Sequence, residues 1–223
     1  MSTYCNAGCP QCHRTKPGTT DKTEWLPLIK WSLEEFKAVY RPELLTGYYP
    51  VIKNFEICGT WGDPAMSPEL VDMVEYIYST GKSTYVSINS NGSIRDEEWW
   101  YKLGTMGPRY HRDIEVVFTL DGINQEMHSK YRQKTSLEKT LNNMEAFADG
   151  GGTAKIYTIV FKHNEDYLDD IGELAKQHGA VGMSWVASER YYYKPNQWDF
   201  VNSQGTEDKL EKSDIKYGWK SLQ

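Results

Sequence analysis

The chain has 223 residues, 39% hydrophobic and 13% aromatic, a composition that excludes a disordered chain and fits one large domain or one domain with a tail. Its formal net charge of −6 gives no general attraction for a nucleic-acid backbone, so nucleic acid is not indicated as a partner. Every apolar run falls short of the roughly 18 residues that a membrane span needs. With no signal peptide ahead of the first cysteines, a cytoplasmic protein without membrane association is expected.

Any first strand must lie between Met1 and Tyr4 or be missing. After a cysteine-bearing loop, Ser32-Leu33-Glu34-Glu35 forms a capping box, and Leu33, Phe36, Val39 and Tyr40 repeat at helical spacing up to a break near Pro42. Phe55 and Ile57 predict a short strand running into Gly59. Ser67 is expected to cap the next helix, with Pro68 at its first position. That helix has an apolar stripe of Leu70, Val71, Met73, Val74, Ile77 and Tyr78 and a stop at Gly81.

The segment Thr84 to Asn89 reads as a strand entering an Asn91-Gly92 turn, followed by a helix from about Arg95 to Leu103 packed through Trp99 and Trp100. Ile114, Val116, Phe118 and Leu120 alternate as a strand. Thr135-Ser136-Leu137-Glu138 offers a capping box for a helix carrying Leu137, Leu141 and Met144, which ends at Gly150-Gly151-Gly152. Ile156 to Phe161 is a strand, Asn164 caps a helix with Leu168, Ile171 and Leu174 that runs to Gly179, and Met183 to Val186 is the last strand.

Strand–helix alternation of this length predicts right-handed βαβ units and a parallel sheet. About six strands fall short of the eight of a closed barrel. An α/β fold is therefore expected, a partial (β/α)6 barrel of parallel strands over residues 1–187. Residues 188–223 then form an aromatic tail (Tyr191, Tyr192, Tyr193, Trp198, Trp219) placed to cover the barrel mouth.

The chemistry concentrates in Cys5, Cys9 and Cys12, three of the four cysteines, spaced Cys-x3-Cys-x2-Cys and followed by His13. Residues this close cannot staple a fold, but they can converge on one metal centre. Three thiolates can hold three irons of a cubane and leave the fourth open to the amino and carboxylate groups of a methionine moiety. A structural zinc site with His13 or Cys58 as fourth ligand is the competing reading. It is weakened because zinc sites usually pair their ligands on two hairpins and no second pair follows. Cys58, at a strand end, is expected to be a buried small hydrophobe.

Further segments accompany the triplet: Trp61-Gly62-Asp63-Pro64-Ala65-Met66, Asn89-Ser90-Asn91-Gly92, Phe118-Thr119-Leu120-Asp121-Gly122 with His128 and Arg132, and Val160-Phe161-Lys162-His163-Asn164. Together they resemble the radical S-adenosylmethionine superfamily, nearest its peptide- and sulfatase-maturing branch, over roughly Tyr4 to Val186. The resemblance implies a 4Fe-4S cluster on Cys5, Cys9 and Cys12. It places Gly62, Asp63 and Pro64 by the methionine amino group and Asn89 and Asn91 by the ribose. Thr119 and Arg132 fall by the carboxylate, and Val160 by the adenine.

The same residues also have plainer readings. Asn91-Gly92 is a common turn pair, Asp63 can be a turn aspartate before Pro64, and Arg132 a surface arginine. Asp121 is either a ribose contact or a cap beside Gly122. The chain departs from the branch at Gln11, where an aromatic is usual, at Asp63, where a glutamate is usual, and in having no cysteine after Cys58 to ligate an auxiliary cluster.

The implied activity is a radical enzyme whose cluster reductively cleaves S-adenosyl-L-methionine to a 5′-deoxyadenosyl radical. The radical takes hydrogen from an unknown substrate, with a peptide or protein favoured. An external electron donor such as flavodoxin or ferredoxin follows. The alternatives are a non-catalytic zinc-binding module or an iron–sulfur protein that only transfers electrons. A doubly wound methyltransferase is disfavoured, because no Gly-x-Gly-x-x-Gly follows an early strand.

Overall fold

The computed structural model describes residues 2–46, 52–81, 85–191 and 194–223. Met1, Thr84, Tyr192 and Tyr193, which the sequence reading used, lie outside the described residues.

The first capping box forms as expected. Ser32 Oγ accepts from Glu35 N, Glu35 Oε2 accepts from Ser32 N, and helix α1 runs Leu33–Val39. Pro42 then begins a separate short helix α2 (Pro42–Thr46), where its missing N–H costs nothing. Strand β1 (Asn54–Ile57) follows. Helix α3 covers Leu70–Thr80, and its expected apolar stripe is buried from Leu70 to Tyr78. Its start differs from expectation. Ser67 closes a helical turn over Pro64–Met66 and does not cap α3, and the carboxylate of Glu69 accepts from Leu33 N at 2.6 Å, at the start of α1.

Strand β2 (Tyr85–Ser90) leads through Gly92 (φ +72°) to helix α4 (Glu97–Gly104), capped by Asp96, and to a short helix α5 (Met106–Tyr110) that periodicity did not reveal. Gly92 is required twice over, because a Cβ there would also lie 2.7 Å from Phe118 Cδ1. Strand β3 is Asp113–Thr119 and helix α6, also unforeseen, is Gln125–Tyr131. Helix α7 (Leu137–Asp149) is capped by Ser136, whose side chain accepts from Lys139 N, one residue later than the expected Thr135. Strand β4 (Thr153–Val160), helix α8 (Leu168–Gln177) and strand β5 (Gly182–Ala187) complete the alternation. Asn164 stands at the N-cap position of the helical turn Glu165–Tyr167 ahead of α8, but its side chain makes no cap hydrogen bond. It accepts from Phe161 N and donates to the carbonyls of Asp121 and Ile159, tying the end of β4 to the segment after β3.

The described residues of 188–223 are built into the fold. Strands β6 (Gln197–Val201) and β7 (Glu207–Glu211) pair as an antiparallel hairpin, and β8 (Gly218–Ser221) runs antiparallel beside β5. The main sheet therefore has the order β1-β2-β3-β4-β5-β8, with β1 to β5 parallel. The mostly parallel α/β sheet matches the expected class. Its sixth strand comes from the C-terminal end, since among residues 2–4 only an isolated bridge, Ser2 to Lys30, is present.

The core lies between this sheet and its helices. Trp100 of α4, Phe118 of β3 and Phe147 of α7 are wholly buried, with the Trp100 and Phe118 ring centroids 5.0 Å apart. Burying each such side chain contributes roughly 1.5–3 kcal/mol. That packing is the rigid floor beneath the strand ends.

Candidate functional site

The carboxyl ends of the parallel strands open onto one cavity of about 590 Å³. Its wall is formed by Cys58 and Gly59 after β1, Asn89 of β2, Thr119 of β3, Ile159 of β4, and Val186 and Ala187 of β5. Tyr131 and Arg132 enter from the end of α6, and Cys9, Cys12 and His13 from the N-terminal loop. Ligands of parallel α/β sheets bind at this end, where loops of different strands meet.

The cysteine loop has little regular structure and is held by side chains. Arg14, which the sequence reading did not single out, is buried and donates to the carbonyls of Thr3 (3.2 Å), Trp61 (3.3 Å) and Cys5 (3.5 Å). Gln11 acts as a clamp. It accepts from Ser188 Oγ at 2.6 Å and donates to the carbonyl of Arg190 at 3.1 Å, while Arg190 Nη1 donates to the Gln11 carbonyl at 3.0 Å. The loop is thereby fastened to the segment after β5.

The four cysteines are free. Burial, with the charges of Asp63 and Cys9, pushes the Cys5 thiol up to about 12. Burial likewise takes Cys9 to about 11, against the opposing pull of Arg132. Without metal both stay protonated, so ligation exchanges protons for metal. Among the described residues no three His, Cys, Asp or Glu side chains converge on a single-ion position. A cubane is wider than an ion and takes each thiolate at its own iron, so three thiols on one loop fit a cluster. Cys58 is exposed, not buried as expected, and accepts from Asn89 Nδ2 at 2.9 Å, because the chain leaves the sheet at this point and passes into the cavity wall.

Gly62 lies against the N-terminal segment, where a Cβ would sit 2.4 Å from the Ser2 carbonyl oxygen. Asp63 N donates to the Tyr4 carbonyl at 2.7 Å. Its carboxylate is buried and accepts from Ala65 N, Ser90 Oγ, Asn91 N and Asn91 Nδ2 at 2.8–3.0 Å. Burial raises this carboxyl above its ordinary range, against those donors. Pro64 is buried in the adjoining turn. Asn91 Nδ2 also reaches Asn6 Oδ1 (2.9 Å) and Cys5 Sγ (3.7 Å), so Asp63 and Asn91 face inward while Asn89 faces the cavity.

Asp121 is fully buried and pairs with Arg132 Nε, and its Oδ1 accepts from Ile159 N at 2.7 Å. The Arg132 guanidinium stacks on Tyr131, 4.9 Å from the ring centroid, and places Nη1 3.8 Å from Cys9 Sγ. Asp121 N donates to Nδ1 of His128, whose own pKa burial and the Arg132 charge lower to about 3. Thr119 lines the cavity with its hydroxyl buried and without a partner among the described residues. Val160 is buried, and its neighbour Ile159 faces the cavity instead. Tyr157, Ile159 and Arg190 gave no motif signal, because they reach the wall only through strand parity and the chain's course after β5.

The sequence profile of the Radical SAM superfamily matches residues 1–175. The mycofactocin maturase MftC of Mycolicibacterium smegmatis is 29% identical over 121 residues, 54% of this chain and 29% of that protein. The AdoMet-dependent heme synthase of Oleidesulfovibrio alaskensis is 25% identical over 79% of this chain and 41% of its own length. The crystal structure of Streptococcus suis SuiB bound to S-adenosylmethionine shares the fold, with a TM-score of 0.59 at 13% identity over 87% of this chain and 41% of that one. The chain thus spans less than half the length of each of these proteins.

Proposed function

The chain belongs to the Radical SAM superfamily, and from that premise we propose that it is an enzyme holding a 4Fe-4S cluster on Cys5, Cys9 and Cys12, with S-adenosylmethionine in the adjoining cavity. The observation that carries this reading is the meeting of Cys9 and Cys12 with Asn89, Thr119 and Arg132 in one cavity at the strand ends. When bound, the cluster supplies the electron that cleaves S-adenosylmethionine to a 5′-deoxyadenosyl radical.

The protein's own contribution is to bind, orient and exclude water. Arg132 offers the planar fork that suits a carboxylate, and the partnerless hydroxyl of Thr119 is available to the same ligand. Asn89 serves the ribose, and Ile159, ahead of Val160, forms the apolar wall for the adenine. Gly62, Asp63, Pro64, Asn91 and Asp121 shape the site from behind, since the Asp63 and Asp121 carboxylates are already engaged within the protein.

A peptide or protein is the proposed substrate. This is supported by the name of the maturase relative and by the structure of SuiB bound to the precursor peptide SuiA. Electrons would come from a flavodoxin or ferredoxin. No helix among the described residues is long and apolar enough to cross a membrane, and a cytoplasmic setting is proposed.

Anaerobic reconstitution with iron and sulfide tests the reading. It should give about four irons per chain, visible absorbance that bleaches with dithionite, and 5′-deoxyadenosine from S-adenosylmethionine. All three should be lost in Cys9→Ala. A colourless protein with stoichiometric zinc after anaerobic purification would sink it.

A further inference from the structure

Buried carboxylates hold N–H donors against two different thiols of the cysteine loop. On one side Asp63 Oδ2 accepts from both nitrogens of Asn91 at 2.8 Å, and Asn91 Oδ1 accepts from Ser93 N at 2.9 Å. Those partners fix which way the amide faces: Nδ2 sends one hydrogen to Asp63 Oδ2 at 2.8 Å and the other to Asn6 Oδ1 at 2.9 Å, with Cys5 Sγ sharing the second at 3.7 Å. On the other side Asp121 anchors Arg132 through Nε, which leaves Nη1 3.8 Å from Cys9 Sγ. Both distances are within the range of hydrogen bonds to sulfur. Cys12 has no comparable side-chain donor among the described residues. Asp121 partly offsets the Arg132 charge, so Cys9 feels both that charge and a directed N–H.

We propose that the Asp63–Asn91 and Asp121–Arg132 pairs set the reduction potential of the cluster by holding N–H donors on the Cys5 and Cys9 thiolates; the inference rests on the cluster reading above. One-electron reduction adds negative charge that spreads onto the sulfurs, and an N–H aimed at a thiolate stabilises the reduced form more than the oxidised one. Asn91 and Arg132 are the donors, and the two aspartates are positioning residues that act through them. This account gives Asp63, Asn91 and Asp121 a task distinct from contact with S-adenosylmethionine.

The test is a redox titration of the reconstituted protein without S-adenosylmethionine, followed by electron paramagnetic resonance, with iron per chain measured on the same samples. Asn91→Leu removes a donor without changing charge. It should make reduction at least tenfold less favourable, a shift of about 59 mV to more negative potential for one electron. Arg132→Lys keeps the charge but loses the fork, should shift the same way, and carries the test if Asn91→Leu does not fold. Gln177→Leu, on the exposed end of α8, should leave the potential unchanged.

Adding Asp63→Asn to wild type and to Asn91→Leu separates positioning from simple charge removal. A through-Asn91 role requires different shifts in the two backgrounds, whereas equal shifts refute it. Variants with full iron that titrate at the wild-type potential overturn the proposal and leave the cluster reading standing. A wild-type protein that takes up no iron overturns both.

Discussion

Replacing Asp63 by alanine tests the idea that this residue holds the site together from inside. The carboxylate is 4% exposed and receives donors from Ala65, Ser90 and both nitrogens of Asn91. A buried donor left without a partner costs about 1–3 kcal/mol. Removing a buried charged group returns part of that sum, because its own desolvation is relieved. A net loss of about 3–5 kcal/mol is expected, at the upper end for a single substitution. For a chain of this size each kcal/mol lowers Tm by about 2–4 °C, so Tm should fall by about 10 °C. The assay is thermal and urea unfolding of the metal-free protein at pH 7, read by far-UV and near-UV circular dichroism. The exposed Glu173→Ala serves as control and should change stability by no more than about 0.5 kcal/mol. A loss below about 1 kcal/mol for Asp63→Ala would refute the reasoning and return Asp63 to the status of an ordinary turn residue.

Gly62→Ala should cost about 1–3 kcal/mol and lower iron uptake, because its Cβ would press on the Ser2 and Tyr4 carbonyls next to Cys5; unchanged Tm and full iron content would contradict this. His128 titrates near 3 in the folded chain, against 6.5 when unfolded, so between those values the unfolded state binds the extra proton. Its contribution is complete above pH 6.5 and declines as pH falls towards 3, by up to about 1.4 kcal/mol per pH unit. Urea unfolding from pH 7 to 4 should therefore show wild type losing stability more steeply than His128→Asn, and parallel curves would rule the effect out. In the metal-free protein at pH 8, iodoacetamide should alkylate exposed Cys58 at least about tenfold faster than buried Cys9, whose thiol is held near 11. Peptide mapping by mass spectrometry reads the ratio, and equal rates would count against the buried loop.

Local signals marked most of the elements. The Ser32 box and the stripe from Leu70 to Tyr78 work through contacts within a few residues, and both formed where expected. Reading failed where a partner far along the chain decided the outcome. The N-cap position of α3 falls to Glu69, whose carboxylate turns to the start of α1, and the Asn164 side chain turns to Asp121, so neither Ser67 nor Asn164 makes the side-chain cap that spacing alone suggested. Helix α6 (Gln125–Tyr131) is short and polar, so it left no periodic trace.

The motif segments did identify the strand ends that meet at the cavity. Asn89 lines the cavity wall, whereas Asn91, two residues on in the Asn-Gly turn, faces Asp63 and Cys5, which a turn signal alone could not show. Gln11 shows the limit most plainly. Its departure from the family pattern was visible, whereas its partners at Ser188 and Arg190 lie 177 and 179 residues away.

That clamp orders events during synthesis. The cysteine loop is made ahead of the groups that immobilise it, which exist only once Ser188 and Arg190 have emerged. Edge strand β5 waits longer still, for β8 at Gly218–Ser221. The loop therefore stays unclamped until Ser188, 177 positions beyond Gln11, has been made. Agents that oxidise thiols have their widest opportunity at Cys5, Cys9 and Cys12 before that clamp closes.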